Sequence, residues 1–435
     1  MRSPCASRRC GSTRSVTVTR LSVIEASAHM LAGVRPLGSE AIALEQALGR
    51  VLARDVVSPV FLPHRDNASM DGFALRADDV RGATAERPAQ LRVIGTIAAG
   101  GTPTRAIVPG EAARIMTGAF VPPGADSVVR VEDTGGDASV VSIFDDRDAG
   151  RNIRLCGEDV RADQIVMRAG TAIAAPHVGV LAAVGCGTPL VYRTPRVAIL
   201  ATGDELVMLD RFDDVLAGTR IVSSNSYALA AAVRAAGGEP VPLGIAPDDP
   251  ESLTARLREA EGCDLVLTSG GVSVGDFDYT RQVVTALGGT LSLWRVRMRP
   301  GAPLGFGTLF GAPWLGLPGN PVSALVTFEL FGRPLIRMLA GHARPHRRTI
   351  GVTLAEPLRL GASLAHFLRV VLESGAAALP VARLTGAQST GMLTSMSSAD
   401  ALLVVPPEPL DLPAGAELRA LPLDGDIGGS DRFLA

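Results

Sequence analysis

The stretch VAILATGDEL at residues 197–206 decides the fold. Its first five residues form an unbroken apolar run, which reads as a strand covered on both faces, and Thr202-Gly203 ends it. The same texture returns at 240–244 and 264–268, alternating with segments of helical period at 226–236, 250–260 and 279–287. Strand, helix and strand at this spacing predict a doubly wound parallel sheet, because a crossover of that length packs its helix back onto the sheet. Asp249 before Pro250 has the chemistry of an N-cap and first helical residue. Asn225, or Ser224 one residue earlier, can cap the helix before it. Open sheets of this kind bind ligands beyond the carboxyl ends of their strands. Three loops there are unusual: TGDE at 202–205, SGGVSVGD at 269–276 and LPGNPVS at 317–323.

Outward from this domain the texture changes. Between 21 and 52 apolar residues recur at helical spacing, which predicts two amphipathic helices, the second closed by Gly49. From 59 to 157 short β-branched runs punctuated by Gly and Pro predict an all-β insert, and the segment from 346 onward reads as a small barrel or sandwich. The expected class is multidomain α/β plus β. Its parts are a flexible N-terminus at 1–20, a helical segment at 21–56, a β-rich insert at 57–157, a linker domain at 158–192, the α/β domain at 193–345 and a C-terminal β barrel at 346–435.

The chain has 435 residues, 47% hydrophobic and 20% charged, the balance of a folded globular protein. No apolar run approaches the ~20 residues that span a bilayer. A formal net charge of -2 gives no general attraction to nucleic acid or acidic membranes, so an anionic ligand needs a local site. All 42 basic residues are arginines, which removes Schiff-base and P-loop lysine chemistry. Five cysteines without metal-type spacing fit a reducing, cytoplasmic compartment. His342 and His346, four apart around Pro345, read as linker rather than metal ligands. The first 20 residues carry five arginines and no acid, but no apolar segment follows, and they read as a frayed terminus.

In the SGGVSVGD loop, Gly270, Gly271 and Gly275 permit positive φ and close backbone approach, while Ser269 and Ser273 add hydroxyls, so the loop can cradle a phosphate without lysine. Pro318-Gly319-Asn320 leads into an apolar helix whose positive end lies near Ser323. Asp204, Glu205, Asp248 and Asp278 converge on one sheet edge and could hold Mg²⁺ against a pyrophosphate. Arg295, Arg297 and Arg299 alternate, so on one strand all three would share a face.

The combination TGDEL, SGGVSVGDFDYT, RPGAP and LPGNPVSA, preceded by DNASMDGFALR (66–76) and IMTGAFVPPGADSVV (115–129), resembles the molybdopterin molybdenumtransferase family of MoeA and gephyrin E-domain type. The resemblance runs from about Leu21 to Pro406. It implies a four-domain subunit in a homodimer whose cleft is completed by loops of the other subunit, with Asp71 and Thr117 as those loop residues. Glu205, Asp248 and Asp278 would be the cleft carboxylates, with Asp204 and Glu205 as the Mg²⁺ ligands. Arg295, Arg299, Ser323, Arg369 and Thr390 would surround molybdate, and Ser269 to Gly275 with Pro318 to Asn320 would hold the pterin nucleotide. The implied reaction converts adenylated molybdopterin and molybdate to molybdenum cofactor and AMP. Expected partners are a molybdopterin adenylyltransferase and molybdoenzyme acceptors. Arg295 and Arg299 stand where relatives commonly carry lysines, Ala302 replaces a further lysine, and His366, Val370 and Thr390 depart from the usual pattern. Two other readings share the α/β domain: an ATP-using adenylyltransferase and a noncatalytic scaffold.

Overall fold

The computed structural model describes residues 21–271, 279–374, 379–409 and 411–423. The chain divides into two compact units, one formed by 1–40, 49–53 and 191–435, the other by 41–48 and 54–190.

The first unit contains the expected parallel sheet. Strands Glu239–Ala246, Arg196–Thr202, Leu265–Ser269 and Ala312–Leu317 lie side by side in parallel. Pro303–Leu309 and Thr290–Arg295 extend the edge antiparallel. Alternation along each strand explains the unbroken apolar runs. Val197 and Ile199 join Leu229 and Val233 of helix Ser224–Ala235 and Ile336 of helix Arg333–Leu339 on one face. Ala198 and Leu200 join Leu253 and Leu257 of Pro250–Arg258 and Val283 and Val284 of Tyr279–Ala286 on the other. Period-two side chains thus bury both faces. Asp249 caps its helix as expected, accepting from the Ser252 amide at 2.8 Å. The preceding helix starts earlier than expected, at Ser224, with Ser223 in the cap position. Asn225 is turned away from capping toward the neighbouring loops.

A five-stranded barrel closes through Ala365–Glu373, Val381–Leu384, Ile350–Leu354, Glu417–Pro422 and Ala401–Val405, the last pairing back onto the first. Phe367, Leu402 and Leu421 of the barrel join the sheet's own apolar cluster, so barrel and sheet share a core.

Two expectations fail locally. Between residues 21 and 52 a single α-helix forms, Val23–Leu31, held by a capping box between Ser22 and Glu25. The second run makes a single 3-10 turn, Leu44–Gln46. Eight residues ended by Gly49, with φ 79°, are too few to offset helix nucleation, and the Leu44 amide bonds the Gly187 carbonyl instead. The arginine strand also breaks. Arg295 ends an edge strand of the α/β sheet, whereas Met298–Arg299 pairs in parallel with barrel strand Ala365–Glu373. An edge strand has a partner on one side only, and Pro300 offers no amide to continue it.

The second unit is built on a six-stranded sheet in the order Ser127–Arg130, Gly72–Leu75, Glu111–Ile115, Ala89–Ile97, Val140–Ile143 and Thr134–Gly136. Leu75, Leu91, Val129 and Ile143 fill one of its cores, which accounts for the short β-branched runs. Helix Ala175–Ala183 and the paired strands Val56–Val57 and Ile165–Met167 belong to the same unit.

Candidate active site

The carboxyl ends of strands Arg196–Thr202 and Leu265–Ser269 open onto a cleft of about 530 Å³. Its walls include Thr202, Gly203 and Glu205 from the first loop, Ser269, Gly270 and Gly271 from the second, and Pro318, Gly319 and Asn320 from the third. Ser223, Ser224, Asn225 and Asp248 complete it. The three loops singled out by sequence therefore meet in space. Ser273, Gly275 and Asp278 lie outside the described residues.

Two glycines are required by close approach. Gly270 has φ 96°, and a Cβ there would meet the Thr202 carbonyl oxygen at 2.7 Å. Gly271 has φ 64°, and its Cβ would lie 2.2 Å from the Thr280 hydroxyl. No L side chain fits either position.

Asn225 ties the loops together. Its Nδ2 donates to the Ser269 hydroxyl at 2.7 Å and to the Gly319 carbonyl at 2.8 Å. The Ser269 hydroxyl in turn donates to the Pro318 carbonyl at 3.4 Å. Two polar atoms of this framework, Asn225 Oδ1 and Thr202 Oγ1, are buried without a hydrogen-bond partner among the described residues. The residues that bear them are 8% and 7% exposed. A buried polar atom left unpaired costs about 1–3 kcal/mol, so each marks a place where ligand can repay that cost. From sequence, Asn225 reads only as a cap and Thr202 only as the first residue of the TGDE loop, with no role for its hydroxyl. An Asn in the first turn of a helix carries no local sign that it will reach two distant loops.

The carboxylates divide. Glu205 and Asp248 line the cleft. The Asp204 carboxylate instead accepts from the Asp248 amide at 3.1 Å, and Asp204 lines a neighbouring depression. Burial, then the charges of Asp204 and Glu205, push the Asp248 carboxyl above its ordinary range. Among the described residues, no group of three or more metal-ligating side chains is assembled in advance. Of the two expected metal ligands, Glu205 lines the cleft together with Asp248, whereas one Asp204 carboxylate oxygen is engaged with backbone.

Helix Pro321–Thr327 begins where expected, with Ser323 buried. Its Val322 amide is taken by the Thr390 carbonyl at 3.2 Å, which brings Thr390 to this helix end through backbone rather than side chain. The turn after Arg299 packs against the same helix, since a Cβ on Gly301 would lie 2.3 Å from Thr327 Cγ2. Arg299 is exposed and Arg295 half-buried, and neither makes an ion pair among the described residues.

Arg369 departs from the expected ligand role. It is 0% exposed. Its Nε donates to the Ser395 hydroxyl at 3.0 Å, and its Nη atoms donate to the carbonyls of Ala387, Gln388 and Ser389 at 3.0–3.3 Å. The Gln388 side chain also bonds the Arg369 amide and carbonyl. The planar fork is spent on these carbonyls and the Ser395 hydroxyl, so Arg369 shapes the 387–390 loop and presents no free cation. Glu373, four residues on along the same strand, pairs with Arg383 at 2.8 Å.

In the second unit, Asp71 and Thr117 form one exposed pair. Asp71 Oδ1 accepts from both the Thr117 amide and its hydroxyl at 2.7 Å, and these bonds hold the Asp71 carboxyl below its ordinary range.

Residues 21–185 match the MoeA N-terminal region (domain I and II), residues 198–338 a probable molybdopterin binding domain, and residues 351–423 the MoeA C-terminal region (domain IV). A molybdopterin molybdenumtransferase of Nostoc sp. is 44% identical over 310 residues, 70% of each chain. Molybdopterin molybdenumtransferase 2 of Mycobacterium tuberculosis is 38% identical over 90% of this chain and 96% of its own. The chain belongs to the molybdopterin molybdenumtransferase (MoeA) family. The crystal structure of the molybdopterin biosynthesis moeA protein from Pyrococcus horikoshii OT3 matches with a TM-score of 0.80 at 28% identity, over 93% of this chain and 100% of its own. As a MoeA-family chain, this protein is a transferase of molybdenum-cofactor biosynthesis. The cleft falls wholly within the span matched to molybdopterin binding. The Asp71–Thr117 pair lies in the MoeA N-terminal match, and Arg369 and Thr390 lie in the C-terminal one.

Proposed function

We propose that the cleft takes adenylated molybdopterin and molybdate and yields molybdenum cofactor and AMP. The observation that carries this reading is the pair of buried, unpartnered atoms Asn225 Oδ1 and Thr202 Oγ1 in a cleft walled by glycine loops. Backbone amides of such loops suit a phosphate, and the unpaired atoms suit the polar edge of a pterin or nucleotide.

The substrates are all anionic, so cations and dipoles must offset their repulsion. Arg295 and Arg299 and the helix end at Ser323 supply positive potential for molybdate, while Arg369 holds the 387–390 loop against that helix end. Glu205 and Asp248 form a donor set that suits Mg²⁺, which takes one or two carboxylates and completes its shell with phosphate oxygens and water. When bound, that ion would neutralise charge on the pyrophosphate. No protein nucleophile is needed, because a molybdate oxygen or a water can attack the adenylyl phosphorus. Asp71 and Thr117 would complete the cleft of a partner subunit in a cytoplasmic homodimer. An adenylyltransferase would supply its substrate and molybdoenzymes would accept its product.

The test is to incubate the purified chain with adenylated molybdopterin, Mg²⁺ and molybdate and to follow AMP release. Molybdate-dependent AMP formation is expected, and its absence overturns the reading. Oxygen-18 molybdate identifies the attacking oxygen, since label enters AMP only if the oxoanion attacks.

A further inference from the structure

Where helix Arg333–Leu339 nears the barrel's short helix Leu393–Ser397, three guanidiniums crowd one carboxylate. Glu329 accepts a hydrogen bond from Arg347 Nε, and Arg333 Nε stands 3.6 Å from the same oxygen. Arg337 Nη2 lies 3.1 Å from His342 Nδ1. The Glu329 and Arg333 side chains are 10% and 11% exposed, so this charge is largely out of water. Burial and the charges of Arg337 and Arg333 push the His342 imidazole down to about 4, so it is neutral at pH 7 and accepts from Arg337. Burial, then the charge of Arg347, pushes the Arg333 guanidinium down to about 10, still charged at neutral pH. The cluster is left with an excess of two positive charges.

Its donors are also under-used. A guanidinium carries five N–H donors. Among the described residues, Arg333, Arg337 and Arg347 each make a single hydrogen bond. Arg333 Nε and Arg337 Nε are buried with no hydrogen-bond partner among the described residues, and Arg333 Nε has only the longer ion-pair contact to Glu329. Buried cations in this state are costly unless an anion meets them. Beside them is an open pocket of about 580 Å³ whose lining includes Arg333 and Arg347 together with the apolar Leu325, Leu393, Met396 and Leu423. It shares no residue with the active cleft.

We propose that this pocket binds a small organic dianion, a phosphate monoester or a dicarboxylate. Its charged end would sit between Arg333 and Arg347 and its hydrocarbon body on Leu393 and Met396. Two negative charges match the local excess, and paired carboxylate or phosphate oxygens suit the planar guanidinium fork. The volume lies in the range of small-molecule sites, and the apolar wall gives a bare oxyanion nothing to contact. Leu325 and Arg333 belong to the α/β domain and Leu393 and Met396 to the barrel, so the ligand would bridge the two.

Calorimetry on the whole chain tests this with phenyl phosphate and phthalate as probes, and with inorganic phosphate and benzyl alcohol as controls. At least one organic dianion is expected to bind roughly tenfold more tightly than either control, and the stronger probe tells phosphate monoester from dicarboxylate. Ser397 is exposed and lines the pocket, so Ser397→Glu leaves the buried cluster intact while placing a negative charge at its mouth. It should weaken binding roughly tenfold with an unchanged melting curve. Arg347→Gln should abolish binding, and if that variant does not fold, Ser397→Glu still decides. Asn225→Ala, in the active cleft, should leave probe binding unchanged. The site is refuted if neither organic dianion exceeds inorganic phosphate, if binding is undiminished in Ser397→Glu, or if it disappears in Asn225→Ala.

Discussion

Asn225 Nδ2 lies 2.7 Å from the Ser269 hydroxyl, so a residue in the first turn of one helix fixes the glycine loop that follows a strand 44 positions away. The same nitrogen holds the Gly319 carbonyl at 2.8 Å, and one amide group thereby sets the spacing of two walls of the cleft.

Asn225→Ala should therefore damage both stability and binding. It removes one buried and one part-buried hydrogen bond and takes the Gly319 carbonyl's partner away, a loss of about 1–3 kcal/mol in unfolding free energy. The apparent affinity for adenylated molybdopterin should fall roughly tenfold or more. Denaturant melts and substrate titration measure the two effects, and an unchanged KM would show that the cleft does not depend on this clamp.

Glu205→Gln and Asp248→Asn should each lower AMP release by roughly 10²-fold, the usual scale for losing a transition-state contact. Asp248 adds a signed stability effect. Its folded carboxyl titrates above the ordinary range because of burial and of Asp204 and Glu205, so its ionised form is disfavoured by folding. Protonation thus stabilises the fold, and that stability is present at low pH and lost as pH rises through the raised value. Asp248→Asn should melt higher than wild type at pH 7, with the gain vanishing in acid. A lower melting temperature at pH 7 would contradict the charge repulsion.

Arg369→Lys distinguishes a shaping fork from a simple cation. A lysine keeps the charge but cannot reach Ser395 and the Ala387, Gln388 and Ser389 carbonyls together. Arg369→Lys and Arg369→Ala should lower thermal stability and AMP release to a similar degree. Full activity in the lysine variant, with loss only in the alanine variant, would restore Arg369 as a charge acting on molybdate.

Mixing Asp71→Asn with Glu205→Gln protein tests the shared cleft. If the two residues serve one site from different chains, mixed dimers regain one intact cleft each while either variant alone stays impaired. Analytical ultracentrifugation of the mixture verifies dimer exchange. Exchange without recovered AMP release would place both residues in one subunit's machinery.

The sheet was legible because its signal is local. Apolar runs near 197, 241 and 265 and helical periods between them demand a covered parallel sheet, and that topology puts TGDE, SGG and LPGNPVS at one edge before any coordinates are known. The barrel and the all-β insert followed from short β-branched runs between turns. Runs at the limit of length were not legible: 41–48 has helical spacing, yet two turns cannot nucleate against a competing bond to Gly187.

What the sequence by itself determined was the order of elements, the edge at which ligand sits and the residue types available there, down to the absence of lysine. Only the tertiary structure decided which of those residues are free to act. Asp204 is spent on the Asp248 amide, Arg369 on three carbonyls, and Arg295 and Arg299 belong to different sheets. Hydrogen-bond partners are chosen by three-dimensional proximity across tens of residues, and residue type and spacing carry no record of whether a donor or carboxylate is already occupied.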